Sequence, residues 1–176
     1  TNRYLKEFNF ISTNHRQAMR EMTLRNIDNA GPDSQLFYLD PDSDEFVCRE
    51  RREGFVDACA ERGLFYRICR IDRLRYEDML NFLMDLQFEP TCNIVMSAGM
   101  LGFTGAVIKM ASVRGLKFYE NLFYCDFDNP YSLQNTGIKL MSAIQDYSTM
   151  GTEVVNALQE FGTEKISCFV PYRIES

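Results

Sequence analysis

The sequence predicts an α/β fold in three layers, with helices on both faces of a mainly parallel sheet. Strand-like and helix-like stretches alternate along all 176 residues, the order that parallel strands impose through their crossover connections. The helical stretches are long enough to serve as those crossovers, which take a right-handed path. No internal repeat, low-complexity tract or linker interrupts the pattern. The length is that of one ordinary domain, or of one lobe with part of another.

"FNFIS" (8–12) reads as the first strand and "HRQAMREMTLRNI" (15–27) as a helix. The loop "DNAGPDS" leads to the strand "QLFYLD" (35–40). In "DPDSDE", Asp42, Ser43 or Asp44 is suited to cap the next helix, and Glu45 to favour its positive end. That helix, about 46–61, sets Val47, Phe55, Val56 and Cys59 near one stripe and ends at Gly63. "LFYRICRI" (64–71) is the next strand, and "YEDMLNFLMDLQ" (76–87) is a helix stopped before Pro90. "TCNIVMSA" (91–98) is strand-like, and the helix after it, about 100–113, ends at Gly115. "NLFYCDF" (121–127) is a strand, "DNPYSLQNTG" a loop, and "IKLMSAIQ" (138–145) a short strand. A helix of about 148–161 carries Met150, Val154, Leu158 and Phe161 in a single stripe. "KISCFVPYRI" (165–174) closes the chain as a strand.

Hydrophobic residues make up 45% and charged residues 25%, as in an ordinary globular chain. No stretch is long and apolar enough to span a bilayer, and the polar start "TNRYLKEF" is no signal peptide. The chain begins at Thr1 rather than Met, as a fragment or a processed product would. A net charge of −6 argues against these residues gripping a phosphate backbone, and does not exclude DNA binding by a segment outside them. The six cysteines are dispersed without a C-x-x-C pair and sit among apolar neighbours, so they read as reduced, structural thiols of a cytoplasmic protein. With His15 the single histidine, a His/Cys zinc site is not expected, and no cofactor is implied.

Three clusters carry chemistry. "LFYCDFDNP" opens as an apolar strand and then sets Asp126 and Asp128 at its mouth, where an unpaired carboxylate is too costly to bury. In open parallel sheets ligands sit beyond the carboxyl ends of the strands, so the pair is placed to hold a polar ligand. The strand followed by Asp-x-Asp also resembles the first motif of haloacid-dehalogenase-type, Mg²⁺-dependent phosphohydrolases. That motif belongs to a first strand, and the fifty or so residues after it here supply no further acidic pair. The second cluster is "CRERREGF" (48–55). Arg49 and Arg52 read as a solvated face screened by Glu45, Glu50 and Glu53, whereas Arg51, one turn before Gly54, is placed to reach the strand-end crevice. A guanidinium fork suits vicinal hydroxyls or a carboxylate. The third cluster is "IKLMSAIQDYSTMGTEVVNAL", a strand, a polar exit and an amphipathic helix.

Taken in order, R-x-x-G-F, the strand ending F-D-N, Q-D-x-x-x-M-G and the terminal "VPYRIES" resemble the effector-binding region of the lac repressor (LacI/GalR-type) family. The resemblance runs from about Phe10 to Ser176, most closely in the C-terminal half. It implies the type I periplasmic-binding-protein-like fold, in two lobes that close on a small ligand, usually a sugar, sugar phosphate or nucleobase. Residues of about 10–143 would then be the C-terminal lobe, and about 144–167 a return segment to a first lobe that lies outside this sequence. Operator DNA would be bound by a homodimer through a helix-turn-helix that is likewise outside it. By the same resemblance Arg51 clamps ligand hydroxyls, Asp128 accepts hydrogen bonds from the ligand, and Gln145 and Phe10 touch it. Asp126 is then left to cap the loop or to pair with a nearby base. The hinge is expected near Phe10–Thr13, Ala143–Gln145 and Ser167–Cys168.

One departure alters the expected pocket. Where the family has Asn-Asp after this strand, the chain has Gly99 and Met100, which removes an amide donor and acceptor from the ligand position. The region of the first helix also has Gln17 and Met22 in place of the customary glycine and His-Leu spacing. The apolar residues of 100–113 wrap more than one face, and the resemblance places that helix at a dimer interface. Burying the four side chains of the 150–161 stripe is worth roughly 6–12 kcal/mol. They are therefore expected to find a partner in this chain, in a second copy or in upstream residues. A solute-binding protein for a transporter is the alternative reading, since the same fold serves both roles.

Overall fold

Runs of Leu, Phe, Tyr, Ile and Val, covered on both faces, make the central strands of this chain. In chain order the elements are β1 (Phe10–Thr13), α1 (His15–Ala30), β2 (Gln35–Asp40), α2 (Phe46–Arg62), β3 (Arg67–Arg70), α3 (Tyr76–Asp85) and β4 (Asn93–Ser97). They continue as α4 (Leu101–Arg114), β5 (Leu122–Phe127), β6 (Met141–Gln145), α5 (Tyr147–Gln159), β7 (Ser167–Val170) and β8 (Tyr172–Glu175). The computed structural model describes residues 9–71, 75–88, 92–99, 101–128, 138, 140–159 and 165–176.

Six strands form one sheet in the order β3-β2-β4-β5-β6-β8, and β1 pairs with β7 in a second sheet. The pairs β2–β3, β2–β4, β4–β5, β5–β6 and β1–β7 are all parallel. Because side chains alternate along a strand, the six-stranded sheet has two apolar faces. On one, Phe37, Leu39, Val95, Leu122 and Tyr124 pack with Met79 and Leu83 of α3 and with Phe103, Val107 and Met110 of α4. On the other, α1 lies against β4 and β5, and α2 against β2. There Tyr38 rests on Phe55 with ring centroids 5.2 Å apart, and Asn26 donates to the Cys125 sulfur at 2.8 Å. This is the three-layer α/β arrangement with a mainly parallel sheet that the alternation predicted.

Helices α1 and α2 meet closely because Gly54 has no side chain. A Cβ there would overlap the Arg16 carbonyl and come within 3.1 Å of the Met19 Cβ. Arg16 then reaches across to Glu53 at 2.9 Å and to Asp57 at 2.6 Å on the outer rim.

The chain divides into two compact units. One comprises 15–144 with 174–176, and the other 1–14 with 145–173. In the second unit β1 and β7 are in register, Phe10 opposite Ser167 and Thr13 opposite Val170, and α5 lies against β1. The chain therefore passes from unit to unit at 14–15, 144–145 and 173–174. The crossing expected at Ser167–Cys168 falls inside β7 instead, where it is held by the β1 ladder.

Several sequence expectations are corrected in detail. The closing strand 165–174 is two strands, β7 and β8, assigned to different sheets. Pro171, which lacks the N–H a ladder needs, stands between them. Glu45 occupies the N-cap of α2 without a side-chain cap bond. Ser43 instead takes the Glu45 N–H at 3.2 Å, so neither Asp42 nor Asp44 caps that helix. The buried face of α2 is Cys48, Arg51, Gly54, Phe55, Ala58 and Cys59, while Val47 and Val56 are half-buried. The apolar surplus expected on α4 is mostly spent inside: Phe103, Val107 and Met110 are in the core, and Val113 is the large exposed one among its described side chains. Helix α5 goes the other way. It buries none of its side chains, and Val154, Val155 and Leu158 are 43%, 52% and 62% exposed. Phe161, the last residue of the expected stripe, lies outside the described residues.

Candidate functional site

Parallel pairing brings the carboxyl ends of β2, β4 and β5 to one edge of the sheet, which gathers Asp40, Ser97 and the Asp126–Asp128 stretch there. Helix α2 starts beyond the same edge, so Arg51, in its second turn, enters the cluster from the side. Arg51 is only 5% exposed. Its Nη1 donates to the Ala98 carbonyl at 2.6 Å. Its Nε and Nη2 lie 3.3 and 3.2 Å from His15 Nδ1, and its Cζ stacks 3.5 Å above the centroid of the Phe127 ring. Of the described carboxylates none is close enough to form an ion pair with it, although Asp126 and Asp128 both act on it through space. Burial pulls the Arg51 pKa below its ordinary value. A guanidinium still keeps its proton throughout the physiological range, so this is a buried cation held by a carbonyl, an imidazole lone pair and an aromatic face.

Gly99 makes that placement possible. Its φ is +88°, a left-handed conformation that favours glycine. A Cβ at this position would run into Arg51 Nη1 and lie 3.2 Å from the Phe127 Cβ. Gly99 therefore touches the guanidinium directly, and its N–H is held by Ser97 Oγ at 3.1 Å. Met100 lies outside the described residues.

Asp128 has a positive φ of 53°, which Asp tolerates better than most side chains. Its N–H donates to the Ala143 carbonyl at 3.0 Å. Its charge is felt by both His15 and Arg51. Arg51, Gly99 and Asp128 are thus gathered at one strand-end edge.

The described contacts of Asp126 are with its own and a neighbouring strand and with α4. It is 1% exposed and is bound by hydroxyls and a backbone amide: Thr104, Tyr124 at 3.1 Å, Ser97 at 3.5 Å and the Phe127 N–H at 2.8 Å. Burial pushes its pKa up to about 6, against the pull of those donors. Arg52 corrects an expectation, since it is no solvated residue. Its Nη1 binds the fully buried Asp40 at 2.6 Å.

Gln145 and Phe10 belong to the other unit. There Gln145 Nε2 donates to the Tyr147 hydroxyl at 2.7 Å, and the Phe10 ring lies 5.1 Å from that of Phe169. Asp146 opens α5 by accepting the Thr149 N–H at 2.9 Å and its hydroxyl at 2.7 Å, an N-cap bond that holds its pKa down. The Q-D pair of the sequence is therefore a polar residue followed by a cap.

A surface hollow of about 350 Å³, lined by Phe37, Phe65, Tyr66 and Arg67 among others, lies at the amino ends of β2 and β3, away from this cluster. Among the described residues no group of three His, Cys, Asp or Glu is placed to hold a metal ion, and no helix is long and apolar enough to cross a membrane. Sequence reasoning missed His15, Phe127 and the Ala98 carbonyl as partners of Arg51. The one available signal was the position of the sole histidine, at the start of a helix that directly follows a strand.

No protein-family model matches the chain, and no curated protein matches it. Solved structures do. A transcriptional regulator CelR–cellobiose complex superposes with a TM-score of 0.79 at 17% identity, covering 97% of this chain and 53% of that one. A LacI-type transcription regulator from Bifidobacterium animalis subsp. lactis gives 0.74 at 16% identity, covering 99% of this chain and 68% of the other. A regulatory protein of the LacI family from Chloroflexus aggregans gives 0.78 at 19%, covering 96% and 62%. The chain spans between about half and two thirds of each of these proteins. Over nearly its whole length, it has the fold of LacI-family transcription regulators.

Proposed function

We propose that this chain is the ligand-sensing region of a transcription regulator of the LacI type, and that it binds a small polar metabolite related to a sugar. The observation that carries this reading is the buried Arg51, which forms no ion pair with a carboxylate among the described residues and stands with Gly99 and Asp128 at the carboxyl edge of a parallel sheet. Such an edge is where open α/β sheets bind ligands. A guanidinium beside a carboxylate offers the donors and acceptors that a polyol needs. The cellobiose bound to one of the similar structures supports a sugar-like ligand. Gln145 and Phe10 are retained as ligand contacts on the resemblance alone.

Ligand binding would act by favouring one arrangement of the protein over another, a population shift of the size of its differential affinity. The output would be altered affinity for operator DNA, held by a helix-turn-helix outside this sequence, with a second copy as partner. The module has no catalytic step in this reading. Six cysteines, all unpaired, support a cytoplasmic location.

The test is calorimetric titration of the whole regulator with mono- and disaccharides and their derivatives. At least one is expected to bind, and Arg51→Ala to abolish that binding. Binding undiminished in Arg51→Ala would overturn the assignment. Because Gly99 supplies no side-chain amide, simple hexoses are expected to bind weakly or not at all.

A further inference from the structure

We propose that His15 is the positioning residue of Arg51: its Nδ1 accepts the side-on N–H pair of the guanidinium and, with the space left by Gly99, locks Arg51 before any ligand arrives. The inference rests on the reading that Arg51 meets the ligand, and it adds what makes that meeting specific.

The chemistry follows from donor counting. A guanidinium donates and never accepts, so the atom 3.3 and 3.2 Å from Arg51 Nε and Nη2 must present a lone pair. His15 Nδ1 is therefore bare and the ring proton sits on Nε2. With Nη1 given to the Ala98 carbonyl, the described residues engage three of the five N–H groups and leave two for a ligand. The ring face of Phe127 lies beneath the guanidinium, and His15 itself stands 5.9 Å from the same ring. Gly99 closes the fourth side, where any Cβ would collide with Nη1.

The lock has a consequence for binding. A free arginine side chain carries about 2 kcal/mol of rotamer entropy, and a ligand that had to order it would bind more weakly. Here the ordering is done by His15, Ala98 and Phe127. The lock also requires a neutral ring, because an imidazolium would set a proton against those of Arg51 in a buried place. Among the described residues, the charged groups that act on His15 are Arg51 from α2 and Asp128 after β5. Burial and Arg51 drive its pKa down to about 3, against the opposing pull of Asp128.

These 176 residues hold one histidine, so its ring nitrogens give unambiguous signals in ¹⁵N NMR of this chain without ligand. The expected result is a single neutral tautomer with the proton on Nε2, unchanged over roughly pH 5–8 where a free histidine titrates, and a slowly exchanging Arg51 Nε–H. His15→Gln restores an acceptor oxygen and should keep the Arg51 signal. His15→Phe keeps a ring without an acceptor, and its Arg51 Nε–H should exchange at least about tenfold faster while the backbone amide spectrum stays folded. Ordinary titration of His15, the proton on Nδ1, or an Arg51 signal equally protected in His15→Phe would overturn the proposal. If neither variant folds, the wild-type titration and tautomer alone decide it. No ligand enters these readouts. A failed sugar screen with the lock intact therefore counts against the ligand reading alone.

Discussion

Arg51 owes its position to partners from α1, β5 and the turn after β4, and removing it leaves all of them short. Arg51→Ala deprives the Ala98 carbonyl and His15 of their donors in a buried place, where a lost charged hydrogen bond costs about 1.5–3 kcal/mol. Chemical denaturation should show that loss in addition to the loss of ligand binding, and an unchanged midpoint would mean that the guanidinium is not held as described. Asp126 makes a second prediction. Its folded pKa is raised to about 6 from 3.8, so the native state binds the extra proton and this group's stabilisation is fully present below the unfolded value. It is lost as pH rises through about 6, at about 1.4 kcal/mol per unit of difference. His15, lowered to about 3 from 6.5, acts in the opposite direction, so its stabilisation is present above 6.5 and fades as pH falls towards 3. Asp126→Asn should therefore steepen the loss of stability on acidification between about pH 6 and 4, read as a larger fall in melting temperature. A slope identical to wild type would contradict the protonation assigned to Asp126. Neither contact network was legible in the sequence. Arg51 and His15 are 36 positions apart, Thr104 and Asp126 22 apart, and Asp40 and Arg52 12 apart across a loop. The strand-end position of Asp128 and the helix-start position of Arg51 were legible, because each follows from where an element begins or ends.

The elements themselves were the most readable level, and the reason is periodicity. β2, β4 and β5 are apolar runs that could only be strands covered on both faces. α2 ends at Gly63, which takes a left-handed C-cap as its position implied. The split of 165–174 was missed although Pro171 marked it, because the β-prone residues on either side were taken as one run. The exposed face of α4 was misjudged because helical spacing shows how wide an apolar stripe is, and not how many layers meet it. α3 takes up what looked like surplus. Two element-scale outcomes follow. Gly54→Ala forces a methyl against the Arg16 carbonyl, and overpacking of that kind costs about 1–3 kcal/mol. The denaturation midpoint should fall with the slope unchanged, and no fall would show that α1 and α2 can part without cost. The exposed Val154 and Leu158 of α5 should make the isolated chain associate. Sedimentation should show the double Val154→Glu, Leu158→Glu variant shifted towards monomer, and equal association in both proteins would place the contact elsewhere.

At the scale of the molecule, the strand-end edge lies in the unit of 15–144 with 174–176, and the chain crosses between the units at 14–15, 144–145 and 173–174. The bonds around Gln145 are accordingly expected to be early sites of limited proteolysis, with ligand slowing the cut. The segment 129–137, read from the sequence as loop, lies outside the described residues. The central claim is that this edge senses a small polar ligand through Arg51. The most direct measurement is the shift in melting temperature of the whole protein across a panel of sugars and sugar derivatives, run in parallel on the wild type and on Arg51→Ala. The account predicts that at least one compound raises the wild-type melting temperature and leaves that of Arg51→Ala unmoved. A panel without effect on either protein, or a shift of equal size in both, would contradict it.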